Sequence, residues 1–231
     1  FGFPQSRRRA FILGVADKYR DMQQELYDVF KDSIVSEMIG VRYTLWDAIS
    51  DLPAVEAKTL KNATYSESEK WGYTFAGMHK DSSEYVQLIN RGLDKKLPLL
   101  NHRSKYNNER DIQIYETLKP GEKSDAESIQ EINPYKNRSE IFRDKFDKLV
   151  ADEPCKAITA HMYYDCNMYI HPYQARGLTP REAARVQGFP DDYLFLGSPN
   201  EWYRQIGNAV SPLMARVLAE ALKKVLKRIG I

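Results

Sequence analysis

Gln5, Arg7 and Arg9 alternate along the first residues of the chain. In an extended segment alternate side chains share one face, so this spacing lines up one amide and two guanidinium groups. Arginine offers a rigid fork of N–H donors that suits a phosphate or the carbonyl edge of a base. A basic run at a domain edge has the same pattern, and the spacing alone leaves both readings open. Near the other end, Gln205-Ile206-Gly207-Asn208-Ala209-Val210 runs into Ser211-Pro212. A Gly-Asn turn there stands directly before a helix start, where backbone N–H groups can receive polar ligand atoms. A turn without a ligand is the plain alternative. The two cysteines are Cys155 and Cys166. Cys155 lies between Pro154 and Lys156, with no general base beside it in sequence, and is not read as a nucleophile. Zinc-type spacing is absent and the four histidines are scattered, so no metal site is expected.

Several elements must position these groups. The apolar run at 11–15 reads as a buried strand ending on Val15, with the arginines at its mouth. Helical spacing continues over 19–30. Thr44-Leu45-Trp46-Asp47 marks a capped helix start, ended by Leu52-Pro53. From 54 to 172 periodicity weakens and Asn, Ser, Lys and Tyr become common. Within it 85–89 reads as a helix or strand, 107–118 as a helix, and 119–133 as a mobile polar loop. The runs 157–160 and 168–170 read as strands. Thr179-Pro180-Arg181-Glu182 is a capping box with proline at the first helical position, and Gly188 and Pro190 stop that helix. In the last helix Leu213, Met214, Val217, Leu218, Ala221, Leu222, Val225 and Leu226 form one apolar stripe, which must bury against something.

The 231 residues are enough for one large or two small domains. Apolar residues make up 42% and charged residues 29%, a globular balance with no apolar run long enough to span a membrane. A net charge of +2 does not by itself argue for nucleic acid. The stretch 91–110 is locally basic, with six Lys/Arg against two acids. Lys95, Lys96, His102, Arg103 and Lys105 are the expected phosphate-facing side chains there. A solvated basic face explains the same charges.

Taken together, Phe1-Gly2-Phe3-Pro4-Gln5-Ser6-Arg7-Arg8-Arg9, the run 176–190 and the run 205–210 resemble, in order, the eighth, ninth and tenth conserved blocks of the DNA cytosine-5 methyltransferases. Pro98-Leu99-Leu100-Asn101-His102, Glu109-Arg110-Asp111, Arg138 and Ile170-His171-Pro172 are similar to one bacterial branch of that family. The resemblance implies an α/β fold: the C-terminal piece of a parallel-sheet, S-adenosylmethionine-dependent methyltransferase domain plus a small, irregular α+β target-recognition domain. Segments 1–53 and 176–231 would belong to the former and 54–175 to the latter. It further implies that Arg7 and Arg9 support the catalytic base pocket, that Gln5 and Arg7 contact the extruded cytosine, and that Asn208, with Gly207 and Ala209, helps to hold S-adenosylmethionine. Thr179, Arg181, Glu182 and Arg185 would be structural. The resemblance also implies double-stranded DNA as the partner, in a bacterial cytoplasm and a restriction–modification setting. The family's glycine-rich cofactor loop, its Pro-Cys-Gln block and its Glu-Asn-Val block have no counterpart here. The chain is therefore expected to be inactive alone, to need an N-terminal methyltransferase half, and to self-associate without it. A stand-alone DNA-binding module and the recognition subunit of a split enzyme are the alternative readings.

Overall fold

Side-chain caps set most of the helix starts in the computed structural model, which describes residues 2–37, 40–79, 83–93, 97–138, 141–142 and 144–231. Helix α1 (Gln23–Ser36) continues from a 3-10 turn at Asp17–Met22. Thr44 and Asp47 close a reciprocal capping box on α2 (Leu45–Ile49). Ser83 caps α3 (Glu84–Ile89) and Asn108 caps α4 (Glu109–Thr117). Thr179 and Glu182 form the second capping box, on α5 (Pro180–Val186). The chain leaves α5 through Gly188, whose φ of +87° only glycine adopts at little cost. Helices α6 (Pro199–Asn208) and α7 (Pro212–Arg228) both begin on proline, which needs no N–H partner in a first turn.

Strands are short: β1 (Gln5–Ser6), β2 (Gly72–His79), β3 (Leu97–Arg103) and β4 (Cys155–Lys156). β1 and β4 are parallel, with Gln5 beside Cys155 and Ser6 beside Lys156. That pair fastens the start of the chain to a segment 150 residues later. β2 and β3 form an antiparallel pair with an irregularity between Phe75 and Met78. A side chain on Gly72 would meet the His102 carbonyl oxygen at 2.2 Å, so this close pairing needs glycine.

The larger core unites Leu45, Ile49, Tyr85, Leu99, Ile158, Val186, Trp202 and Ile206, and so draws on all three expected segments. A smaller core holds Ile114, Tyr115, Leu118, Ile129, Phe146 and Ile170. Apart from these, α1 packs on α7, where Leu26, Ala221 and Val225 are buried and Arg228 pairs with Glu25.

Several sequence expectations need correction. Residues 11–15 are not a strand; no described strand lies beside them, and Ile12 is 97% exposed. A lone extended segment has nothing to take its ladder hydrogen bonds. The loop at 119–133 is packed rather than free. Ile129 is buried, Asn133 Nδ2 donates to the Ser124 carbonyl at 2.7 Å, and Lys123 bridges to Asp147. The apolar runs at 157–160 and 168–170 are not strands either. The strand is displaced to β4, and 3-10 turns occupy Ala160–Tyr163 and Asn167–Tyr169. Short apolar runs carry too little periodicity to separate these states. In α7 the stripe is only partly covered, with Leu222 and Leu226 about two-fifths exposed.

Candidate base and cofactor pocket

Gln5 and Arg7 converge on one buried amide, that of Gln187. Gln5 Nε2 donates to Gln187 Oε1 at 2.8 Å and to the Val186 carbonyl at 3.1 Å, while Gln5 Oε1 accepts the Ile158 N–H at 3.2 Å. Arg7 donates to the carbonyls of Ile158 at 2.7 Å and Gly207 at 3.3 Å, and to Gln187 Oε1 at 3.3 Å. Gln187 Nε2 completes the junction with a 2.8 Å bond to the Ala209 carbonyl. Four segments distant in sequence are thus clamped at one point. Burial, then the charge of Arg9, lowers the pKa of Arg7, yet a guanidinium stays protonated at neutral pH. Gln187 was missed as a functional candidate, because its partners lie far along the chain and nothing local distinguishes it from a surface glutamine.

Beside this junction lies a cavity of about 670 Å3. Gln5, Arg7 and Arg9 line one part and Asn208, Ala209 and Ser211 another. The two motifs singled out at opposite ends of the sequence therefore share one cavity. Arg9 is exposed and, among the described residues, bonds only to the Arg8 carbonyl, at 2.7 Å, which leaves most of its donor fork open. Asn208 is exposed as well. The Ser211 hydroxyl is buried with no partner among the described residues. Such a group normally finds one. Gly207 does not line the cavity. A Cβ on it would lie 2.1 Å from the Ala160 backbone nitrogen, so glycine admits the close crossing of α6 over residues 159–160, and its carbonyl receives Arg7.

The residues expected to be structural form the floor beneath. Glu182 caps α5 and takes a bidentate pair from Arg176, with both contacts at 2.7 Å. Burial alone would raise its carboxyl; Arg176 reverses this and holds it well below the usual range. Arg181 spends its donors on the carbonyls of Leu100, Pro190 and Tyr193. Arg185 joins α5 to Asp191 and Asp51. All three side chains, with Thr179, are buried.

Residues 1–224 match the C-5 cytosine-specific DNA methylase family. The chain belongs to that family. It is 30% identical over 276 residues to the type II methyltransferase M.AgeI of Thalassovita gelatinovora, covering 96% of this chain and 63% of that protein. It is 33% identical to M.Bpa9945I of Bacillus paralicheniformis, covering 98% of this chain and 49% of that one. For M.DdeI of Desulfomicrobium norvegicum the identity is 29%, with 100% and 54% covered. The chain thus spans roughly half to just under two thirds of these relatives. A crystal structure described as a prophage-encoded DNA modification methyltransferase of E. coli superposes with a TM-score of 0.54 at 23% identity, covering 82% of this chain and 49% of that one. The α/β methyltransferase fold is shared with it.

In this member of the family the side chains singled out in the basic stretch 91–110 that the structure describes do not face open solvent as their charge suggested. Lys95 and Lys96 lie outside the described residues. His102 is buried, with Nε2 on the Pro53 carbonyl at 2.8 Å and Nδ1 on the Thr179 hydroxyl at 3.1 Å. Arg103 is buried and binds Glu67 and the carbonyls of Thr64 and Tyr65. Lys105 Nζ is satisfied by the carbonyls of Met162 and Tyr163. These three are therefore corrected from phosphate donors to internal ties. Both cysteines are buried, and burial pushes the thiols up to about 12 for Cys155 and about 11 for Cys166, which keeps them protonated and unreactive at neutral pH. No cluster of potential metal ligands occurs among the described residues, and none of their helices is long and apolar enough to cross a membrane.

Proposed function

We propose that this chain completes the base and cofactor pocket of a DNA (cytosine-5)-methyltransferase of restriction–modification type and carries its target-recognition segment. The whole enzyme would transfer a methyl group from S-adenosylmethionine to C5 of a cytosine turned out of duplex DNA, in a bacterial cytoplasm. The observation that carries this reading is the shared cavity, in which the Gln5–Arg7–Arg9 array and the Asn208–Ser211 segment that leaves α6 face common space. Arg9 would donate to the base carbonyl or its phosphate, while Arg7, pinned by Gln187 and two carbonyls, fixes the backbone from which Arg9 projects. Asn208, Ala209 and Ser211 would hold the cofactor, and the partnerless Ser211 hydroxyl fits a polar ligand there. When bound, that cofactor supplies an electrophilic methyl group. Neither cysteine is a nucleophile, so the chain by itself transfers no methyl. A methyltransferase domain that brings a reactive thiolate would pack on the exposed apolar side chains Phe11, Ile12, Val210 and Leu226. We keep the division at 53 and 175 as a statement of which domain each segment serves, since the segments share one core.

The test combines two measurements. The chain should bind duplex DNA with strong salt dependence and incorporate no tritiated methyl alone, but should support incorporation when mixed with a methyltransferase half bearing the Pro-Cys-Gln block. Arg9→Ala should then depress incorporation, and Asn208→Ala should raise the cofactor concentration required. Methyl transfer by the chain alone, lost in Cys155→Ala, would overturn the reading.

A further inference from the structure

The 3-10 turn Ala160–Tyr163 is held more firmly than a surface loop requires. The Lys105 ammonium donates to its Met162 and Tyr163 carbonyls at 3.2 and 2.6 Å, and α6 lies against it where Gly207 omits a side chain. From this fixed turn His161 and Tyr164 project into solvent, Tyr164 with 72% of its surface exposed. Tyr163 and Tyr164 have ring centroids 5.1 Å apart, His161 and Tyr164 5.6 Å, and the Arg204 guanidinium sits 5.6 Å over Tyr163. Tyr164 also lines a cleft of about 330 Å3 whose walls include Lys58, Lys61, Arg103 and Lys105 and no carboxylate. Arg103 is paired with Glu67, and Asp165, next to Tyr164, is held by Lys145 at 2.6 Å. Lys58 is buried with Nζ on the carbonyls of Ala63 and Ser66, and Lys105 is tied to the turn, so Lys61 is the exposed cation at the cleft. Ile158, two residues before the turn, receives Arg7, so the aromatic turn and the base cavity flank the same junction.

Exposed, rigidly presented aromatic rings beside a cationic cleft suit a polymer that offers flat bases and phosphates together. Resting on the DNA-methyltransferase reading, we propose that the turn carrying His161 and Tyr164 is a stacking platform for an unstacked base of the bound DNA, with the adjoining backbone held over the cleft beside Lys61. This shifts the nucleic-acid surface from His102, Arg103 and Lys105, which serve as internal ties, to an aromatic turn whose charge alone gave no signal.

The experiment uses the full 231-residue chain and two short fluorescein-labelled duplexes, one fully paired and one with a single unpaired base. Anisotropy is followed across a salt series. Wild type should bind both and prefer the unpaired base. Tyr164→Ala should weaken binding about ten-fold, remove that preference and leave the salt slope unchanged, as loss of stacking does. Tyr164→Phe should behave as wild type. Lys61→Gln should reduce the salt slope by about one. Tyr164 is exposed, so an unaltered thermal midpoint confirms that the variants fold. If wild type binds and Tyr164→Ala binds equally well, the platform is wrong while the DNA-binding function stands. If wild type binds neither duplex at low salt, both readings fall.

Discussion

Gln187 shows how one amide can organise a site. It accepts from Gln5 and Arg7 and donates to the carbonyl of Ala209, with no exposed surface. Replacing it by leucine keeps the volume but leaves the Ala209 carbonyl without its side-chain donor and takes one acceptor from each of Gln5 and Arg7. Each such orphan costs about 1–3 kcal/mol. Gln187→Leu should therefore destabilise the chain by at least about 2 kcal/mol in urea unfolding; a loss within ~0.5 kcal/mol, the range of ordinary surface changes, would show that the junction is dispensable. Gly207 gives a sharper case. A methyl there would stand 2.1 Å from the Ala160 nitrogen, a backbone atom that cannot swing aside, whereas a methyl on Gly14 meets nothing within 4 Å. Gly207→Ala should cost roughly 3 kcal/mol or more, and Gly14→Ala should be near neutral or slightly stabilising. Equal midpoints for the two variants would contradict the close crossing. Asn208 and Arg9 could be singled out from sequence because each sits in a recognisable local run. That of Gln187 could not, since its meaning lies in contacts some 180 residues away.

At the scale of elements, what was legible was what is local. Both capping boxes, at Thr44 and Thr179, form as the side-chain spacing predicts, because a cap is decided within four residues. Strand identity at 11–15 and 157–160 was not, because a strand is defined by a neighbour that local pattern does not name. Two histidines against the capped start of α5 also carry a titration that the sequence hid. His102 donates from Nε2 to the Pro53 carbonyl and accepts at Nδ1 from Thr179, while His171 Nδ1 accepts the N–H groups of Tyr173 and Gln174. Burial pushes both imidazoles down to about 4, from the ordinary 6.5 of the unfolded chain. Between those values the unfolded state holds more protons than the folded one, so stability falls as pH drops from 6.5 to about 4. Glu182, held low, adds a further loss below its ordinary 4.5. Urea midpoints should be level above pH 7 and decline through that window, by a total on the order of a few kcal/mol. Replacing both histidines by glutamine should flatten the upper part of the decline. A profile that stays level down to pH 4.5 would rule out the neutral imidazoles.

Across the whole molecule, the order of the conserved blocks was readable long before their meeting place. The sequence supplied the two walls of the cavity and the family, but not that β1 and β4 would bring them together through a two-residue parallel pair. Nor did it show that residues 54–175 and the α5–α6 region would share a core. The same view shows an uneven distribution of apolar surface. One side of the molecule is finished by the α1–α7 contact, yet Ile12 is 97% exposed, Val210 60%, and Leu222 and Leu226 41% and 42%. Contiguous apolar patches beyond a few hundred Å2 mark association sites. The isolated chain should therefore self-associate reversibly at high micromolar concentration in sedimentation velocity. Leu222→Glu combined with Leu226→Glu should shift it toward monomer without lowering its thermal midpoint by more than a degree or two, because neither side chain is fully packed and a small surface ΔΔG moves the midpoint little. A methyltransferase half that restores methyl transfer should compete with the self-contact, since both would use the same side chains. A wild-type chain that stays monomeric at those concentrations, and whose behaviour that half does not alter, would mean that α1 already supplies all the cover α7 requires.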